Sequence, residues 1–87
     1  MKMLKFNAIW CPSCLIMYAI YQQIAEEYKI EMIEYDYDED EDMVEKWQIG
    51  KIIPVVIFVD QNESEIGRLV GEHSKKEIIE YIQTLGE

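Results

Sequence analysis

Val55-Val56-Ile57-Phe58-Val59 has no polar residue on either alternation of a strand. Side chains of a strand point to opposite faces in turn, so this run, opened by Pro54, reads as a strand buried on both faces. A chain of 87 residues has room for one domain. Residues 1–87 are therefore expected to form a single domain.

The other segments divide by their periods. Leu4, Phe6 and Ala8 alternate with Met3, Lys5 and Asn7, which predicts a strand over 2–8. Trp10-Cys11-Pro12 ends it, and proline suits a first helical turn, where its missing N–H has no partner to lose. From Pro12 to about Tyr28 the spacing is helical. Leu15, Ala19, Gln22 and Gln23 share the helix with Ile16, Ile20, Ile24 and Tyr28, a stripe wide enough to predict cover over much of the circumference. Ile30 to Tyr37 alternates again as a second strand.

Asp38 to Asp42 can cap a second helix running to about Gln48, since acids in a first turn meet the positive end of the helix dipole. Gly50 suits its C-terminal end. After Val59, Asp60-Gln61-Asn62-Glu63 turns the chain into Glu65–Val70, giving an antiparallel hairpin that Gly71 ends. Ser74, with Glu77 three residues on, forms a capping box for a last helix with Ile78, Ile79, Ile82 and Leu85 on its apolar face and Gly86 as its stop. The predicted order is β-α-β-α-β-β-α, an α/β fold. Its first crossover is right-handed and its first two strands are parallel.

Charge excludes several partner classes. Asp and Glu number 18 against 8 Lys and Arg, a formal charge of −10. Such a chain repels phosphate backbones and anionic lipid, so neither nucleic acid nor a membrane is an expected partner. No apolar run approaches the roughly 18 residues of a membrane helix, and the first ten residues lack a secretory core, so cytoplasmic placement is expected. The acids concentrate at Glu31, Glu34, Asp36, Asp38, Glu39, Asp40, Glu41 and Asp42, read as a solvated segment. A calcium loop fails there: Glu41 stands where the turn glycine belongs and Trp47 where the closing glutamate belongs.

Chemistry rests on Cys11 and Cys14, the only two cysteines. Two thiols cannot staple a secreted mini-protein, and with His73 distant in sequence they do not complete a four-ligand zinc site, so no metal is expected. Cys11 falls at the start of the first helix, where unpaired N–H groups and the dipole favour a thiolate. Cys14 lies one turn later on the same face and is expected to be the more buried. That pattern suits an exchange in which Cys11 attacks a disulfide and Cys14 resolves the mixed disulfide. A pair of inert buried thiols is the competing reading.

Trp10-Cys11-Pro12-Ser13-Cys14 after the first strand, Ile53-Pro54 opening an apolar strand, and Val70-Gly71 before a final helix together resemble the thioredoxin family. The chain looks like a member that lacks the family's N-terminal strand and helix. The resemblance implies a four-stranded mixed sheet of order 2-1-3-4 with helices on both faces, and a cis peptide bond at Ile53-Pro54. It implies that Ile53 pairs its main chain with an extended substrate, that Trp10 walls the site beside Cys11, and that Gly71 leaves space for the partner's backbone. It further implies reduction of protein disulfides, a role in electron transport and cell redox homeostasis, no cofactor beyond a redox-active Cys11–Cys14 disulfide, a flavin-linked thioredoxin reductase upstream, and a monomer.

Two departures from the family pattern stand out. Pro12-Ser13 replaces the usual Gly-Pro between the cysteines, as in glutaredoxin-like and oxidant members. Lys5 occupies the place of the family's buried aspartate, and Glu34 falls near the place of its lysine partner. An inverted Lys5–Glu34 pair beneath Cys14 would favour the thiolate or shuttle its proton; a Lys5 that snorkels to the surface would do neither. A glutathione-dependent, glutaredoxin-like enzyme is the alternative function, disfavoured by Ile52-Ile53-Pro54 and Gly71-Glu72-His73-Ser74, which lack that family's motifs. A non-catalytic adaptor on the same fold is the third reading.

Overall fold

The computed structural model describes residues 1–86, in the order β1 (Lys2–Asn7), α1 (Pro12–Glu27), β2 (Glu31–Asp36), α2 (Glu41–Lys46), β3 (Val55–Val59), β4 (Glu65–Val70) and α3 (Lys75–Leu85). The strands form one sheet of order β2-β1-β3-β4. β1 runs parallel to β2 and antiparallel to β3, and β3 and β4 form the antiparallel hairpin. This is the predicted order, pairing and topology.

The two faces of the sheet carry separate cores, because alternate residues of β1 and β3 serve each. Leu4, Phe6, Val55, Ile57 and Val59 point to one side, where Met43, Val44 and Trp47 near α2 pack on them. Met3, Val56 and Phe58 point to the other, against Met17, Tyr21 and Ile24 of α1 and Ile78 and Ile82 of α3. Every residue of β3 is at most 1% exposed, as its unbroken apolar run requires. Phe6 stacks on Tyr35 across the β1–β2 pair at 5.1 Å. Arg68 ties β4 to the end of α2, donating to the Trp47 carbonyl at 3.0 Å while paired with Glu65.

Local sequence explains most boundaries. At α3 the capping box forms in both directions, Glu77 N–H to Ser74 Oγ at 3.1 Å and Ser74 N–H to Glu77 Oε1 at 2.8 Å. The end of α2 departs from expectation. Gln48, with φ 54°, takes the left-handed position, and Ile49 N–H closes on the Val44 carbonyl at 2.9 Å, leaving Gly50 outside the motif. The acid that precedes α2 caps the loop instead of the helix. Asp40 makes no side-chain cap bond to α2, and its Oδ2 accepts the Asp36 N–H at 2.7 Å. Asp36 Oδ1 in turn accepts the N–H groups of Asp38 and Glu39. Part of the acidic segment is thus a hydrogen-bonded turn.

α1 corrects the expectation of wide cover. It buries only Cys14, Met17, Tyr21 and Ile24, whose spacing matches a single face. Leu15, Ile16 and Tyr18 stay exposed, since the sheet and α3 together reach only one side of the helix. Among the described residues no helix is long and apolar enough to cross a membrane.

Gly67 of β4 lies under α3. A Cβ there would collide with the Tyr81 hydroxyl and meet Leu85 Cδ2 at 3.0 Å, while that hydroxyl accepts the Arg68 N–H at 3.1 Å. Gly67→Ala is expected to destabilise the fold by about 1–3 kcal/mol through overpacking. The same change in a Tyr81→Phe background, without the clashing oxygen, should cost less. Thermal denaturation checks both, and equal melting temperatures for Gly67→Ala and wild type would contradict the packing assigned here.

Candidate redox site

The chain leaves β1, the strand between β2 and β3, and starts α1 within a few residues. Cys11 sits at that junction. It is the N-cap of α1, with extended backbone at φ −97° and ψ 110°, and Pro12 opens the helix. Where serine or aspartate usually supplies an oxygen, Cys11 supplies sulfur: the Cys14 N–H donates to Cys11 Sγ at 3.1 Å. Such a contact is stronger to a charged acceptor than to a neutral one. The Cys11 thiol faces the Ile53 carbonyl at 3.7 Å.

Both thiols are free. Cys11 is 6% exposed and Cys14 4%. The expected contrast in exposure is therefore slight, because the Ile53-Pro54 loop closes over Cys11 as well. Burial first, then the hydrogen bond to Cys11, push the Cys14 thiol up to about 12. A backbone hydrogen bond with Ala8 and the charge of Lys5 pull the other way.

The residues expected around the cysteines are brought together. The Ile53-Pro54 bond is cis, and the Pro54 carbonyl accepts the Gly71 N–H at 2.8 Å. Gly71 has φ +83°, a conformation that L side chains resist, which is the local reason for glycine here. Trp10 is exposed, its indole N–H donating to Asp38 Oδ2 at 2.6 Å and its ring edge-on to Tyr37. Ser13 Oγ donates to Glu72 Oε2 at 2.5 Å. Ile9, Ile52 and Val70 add exposed apolar surface nearby.

Lys5 does not snorkel. It is 0% exposed, and its Nζ lies 3.5 Å from Glu34 Oε1 across the β1–β2 register. Asn7 Nδ2 donates to the same oxygen at 3.0 Å. Lys5, Glu34, Cys11 and Cys14 line one open cleft of about 320 Å³. Asn7 and Tyr18, which line it too, were not singled out by the sequence reading. Both follow simple periods, two residues after Lys5 on a strand and four after Cys14 on a helix. Asp38 and Glu72 carry no comparable signal, since loops alone bring them to Trp10 and Ser13. Among the described residues no cluster of three or more His, Cys, Asp or Glu could hold a metal.

Comparison with known proteins agrees with this geometry. The family model Thioredoxin matches residues 1–84. Thioredoxin X of the Arabidopsis thaliana chloroplast is 25% identical over 85 residues, covering 95% of this chain and 47% of that protein. A thioredoxin of Rickettsia bellii is 29% identical over 82 residues, covering 92% of this chain and 76% of its own length. The chain therefore spans about half the length of the first relative and three quarters of the second. The structure of thioredoxin 1 from Thermosipho africanus superposes with a TM-score of 0.86 at 28% identity, covering 97% of this chain and 92% of that one.

With Cys14 held as a thiol by burial and its contact with Cys11, little of it carries the thiolate at pH 8. Iodoacetamide at that pH is expected to label Cys11 alone, as read by peptide mass mapping. Equal labelling of Cys14 would contradict the asymmetry.

Proposed function

Because the chain belongs to the thioredoxin family, we propose that it is a thiol–disulfide oxidoreductase that reduces protein disulfides through Cys11 and Cys14. The observation that carries this reading is the sulfur cap: Cys11 Sγ receives the Cys14 N–H at the N-terminus of α1, with a second free thiol one turn along. A helix N-terminus stabilises an anion at that sulfur.

The reaction has two exchanges. The Cys11 thiolate attacks one sulfur of a substrate disulfide; that S–S bond breaks, a mixed disulfide forms on Cys11, and the other substrate sulfur leaves as a thiolate and is protonated. Cys14 then loses its proton and attacks Cys11 Sγ, releasing the second substrate thiol and leaving a Cys11–Cys14 disulfide. The substrate gains two electrons and the cysteine pair loses two. No metal or organic cofactor takes part in this scheme. An upstream dithiol donor, such as a flavin-linked thioredoxin reductase, would restore the pair, and a reducing compartment such as the cytoplasm suits this direction.

The surroundings support a protein substrate. In the reduced pair the Ile53 carbonyl faces the Cys11 thiol, and an extended substrate would take over that main-chain position, as in strand addition. Trp10 would wall the site, Gly71 would admit the partner's backbone, and Pro12, Ser13 and Pro54 would shape the opening. The exposed Ile9, Trp10, Ile52 and Val70 provide apolar contact area around it.

Reduction of insulin by dithiothreitol, followed by turbidity, tests the reading. Wild type is expected to accelerate it strongly, and Cys11→Ser to fall to the rate of dithiothreitol alone. Cys14→Ser should lose turnover yet retain substrate as a mixed disulfide on Cys11. Wild type no faster than dithiothreitol would leave an adaptor; activity that appears only with glutathione would favour the glutaredoxin-like enzyme.

A further inference from the structure

Lys5 is the one charged residue in the buried set of the described structure. Its ammonium borders the cleft that also holds both sulfurs. Nζ makes no hydrogen bond of good geometry; its neighbours are Glu34 Oε1 at 3.5 Å and the Tyr18 ring, whose centroid is 5.2 Å away. The partner is unequal. The Glu34 side chain is 40% exposed and its Oε1 also accepts from Asn7, whereas the Lys5 side chain is wholly enclosed. Water screens the carboxylate more than the ammonium, so Glu34 cancels the Lys5 charge only in part.

The other groups lining the cleft add one more carboxylate and no second cation. β2 contributes Glu34 and Asp36; α1 contributes Cys14 and Tyr18, with Cys11 at its cap; β3 contributes Val56, which is apolar. The charge of Lys5 favours the Cys14 thiolate. Its weight changes during the reaction. In the free dithiol, the hydrogen bond and charge of Cys11 oppose ionisation of Cys14 alongside burial. Once Cys11 is joined to substrate, its sulfur has neither proton nor charge, and both contributions vanish. Burial then stands against the Ala8 backbone and Lys5.

We propose that Lys5 is a positioning residue for the second exchange, stabilising the Cys14 thiolate that attacks the mixed disulfide, while Glu34 holds the ammonium and partly cancels it. The inference rests on the disulfide-exchange reading above. The Cys14 proton leaves to solvent through the cleft; the thiolate forms a bond to Cys11 Sγ as the Cys11–substrate bond breaks, and the departing thiolate takes a proton from water.

The two members of the pair therefore have opposite effects, which a structural role would not produce. The probe is 5,5′-dithiobis(2-nitrobenzoate) in single-turnover stopped flow between pH 6 and 9. The first nitrothiobenzoate release reports Cys11, and the second reports resolution by Cys14. Lys5→Met is expected to raise the midpoint of the second release by about one pH unit and slow it about tenfold at pH 7, converging on wild type at high pH. Lys5→Gln, polar but uncharged, should shift it the same way. Glu34→Gln should shift it down and speed release at pH 7. The first release should change less than about threefold throughout. Superimposable Lys5→Met and wild-type profiles, or a Glu34→Gln variant that is slower, would overturn the inference. Wild type that never gives a second release would overturn the disulfide-exchange reading itself.

Discussion

The first turn of a helix has N–H groups with no backbone partner, and in this chain a sulfur meets one of them. The Cys14 N–H to Cys11 Sγ contact is the cap of α1, and it is the contact on which the proposed chemistry rests. It exists because β1 ends where α1 begins, and because Pro12 holds helical backbone geometry at the first turn without needing a hydrogen bond there. The Ile53-Pro54 loop and Gly71 are tied to each other through the Pro54 carbonyl, and the Ile53 carbonyl of that loop faces the sulfur. Remove the sheet order that places β1 between β2 and β3, and the sulfur would lose the loop that faces it.

That sheet order follows from β3. A strand with apolar residues on both faces needs cover on both, and the hydrophobic residues of α1 and α3 supply one side while those near α2 supply the other. The division is unequal. α2 is short and buries no residue fully, so Trp47, Met43 and Val44 cover their side with help from Ile49 and the loop up to Pro54. The loop that faces Cys11 is therefore also part of the core. Its position is set by packing, and site and fold share the same residues.

The element order, the hairpin and the capping box were legible because each follows from a short-range rule: a period of two, a period near 3.6, or a hydroxyl three residues before a glutamate. The site cysteines were legible for the same reason. What escaped was set by tertiary space. The apolar count of α1 promised wide cover, but Leu15 and Ile16 point where no element reaches. Glycine was expected to end α2, yet Gln48 adopts the left-handed backbone because two closing hydrogen bonds compensate it. The depth of Lys5 was open as well, since a long flexible side chain on a strand can be read either as buried or as snorkelling. Asp38 and Glu72 lie on loops, where no period predicts which way a carboxylate turns.

The burial of Lys5 is costly in the folded state, and the chain has done little to offset it. Glu34 is half in water and occupied by Asn7. A residue selected for stability alone would be apolar there, as Val56 is beside it and Met3 is two residues before it. A net charge of −10 sharpens the point, because the acids that dominate the surface are screened by solvent while this single cation is not. In a molecule so rich in carboxylates, the one fully enclosed charge among the described residues shares a cleft with both sulfurs and has the sign that a thiolate requires. Opposite charge away from water acts more strongly than many charges at the surface, so one enclosed cation works against the burial of Cys14 where the overall composition gives no reason to expect it.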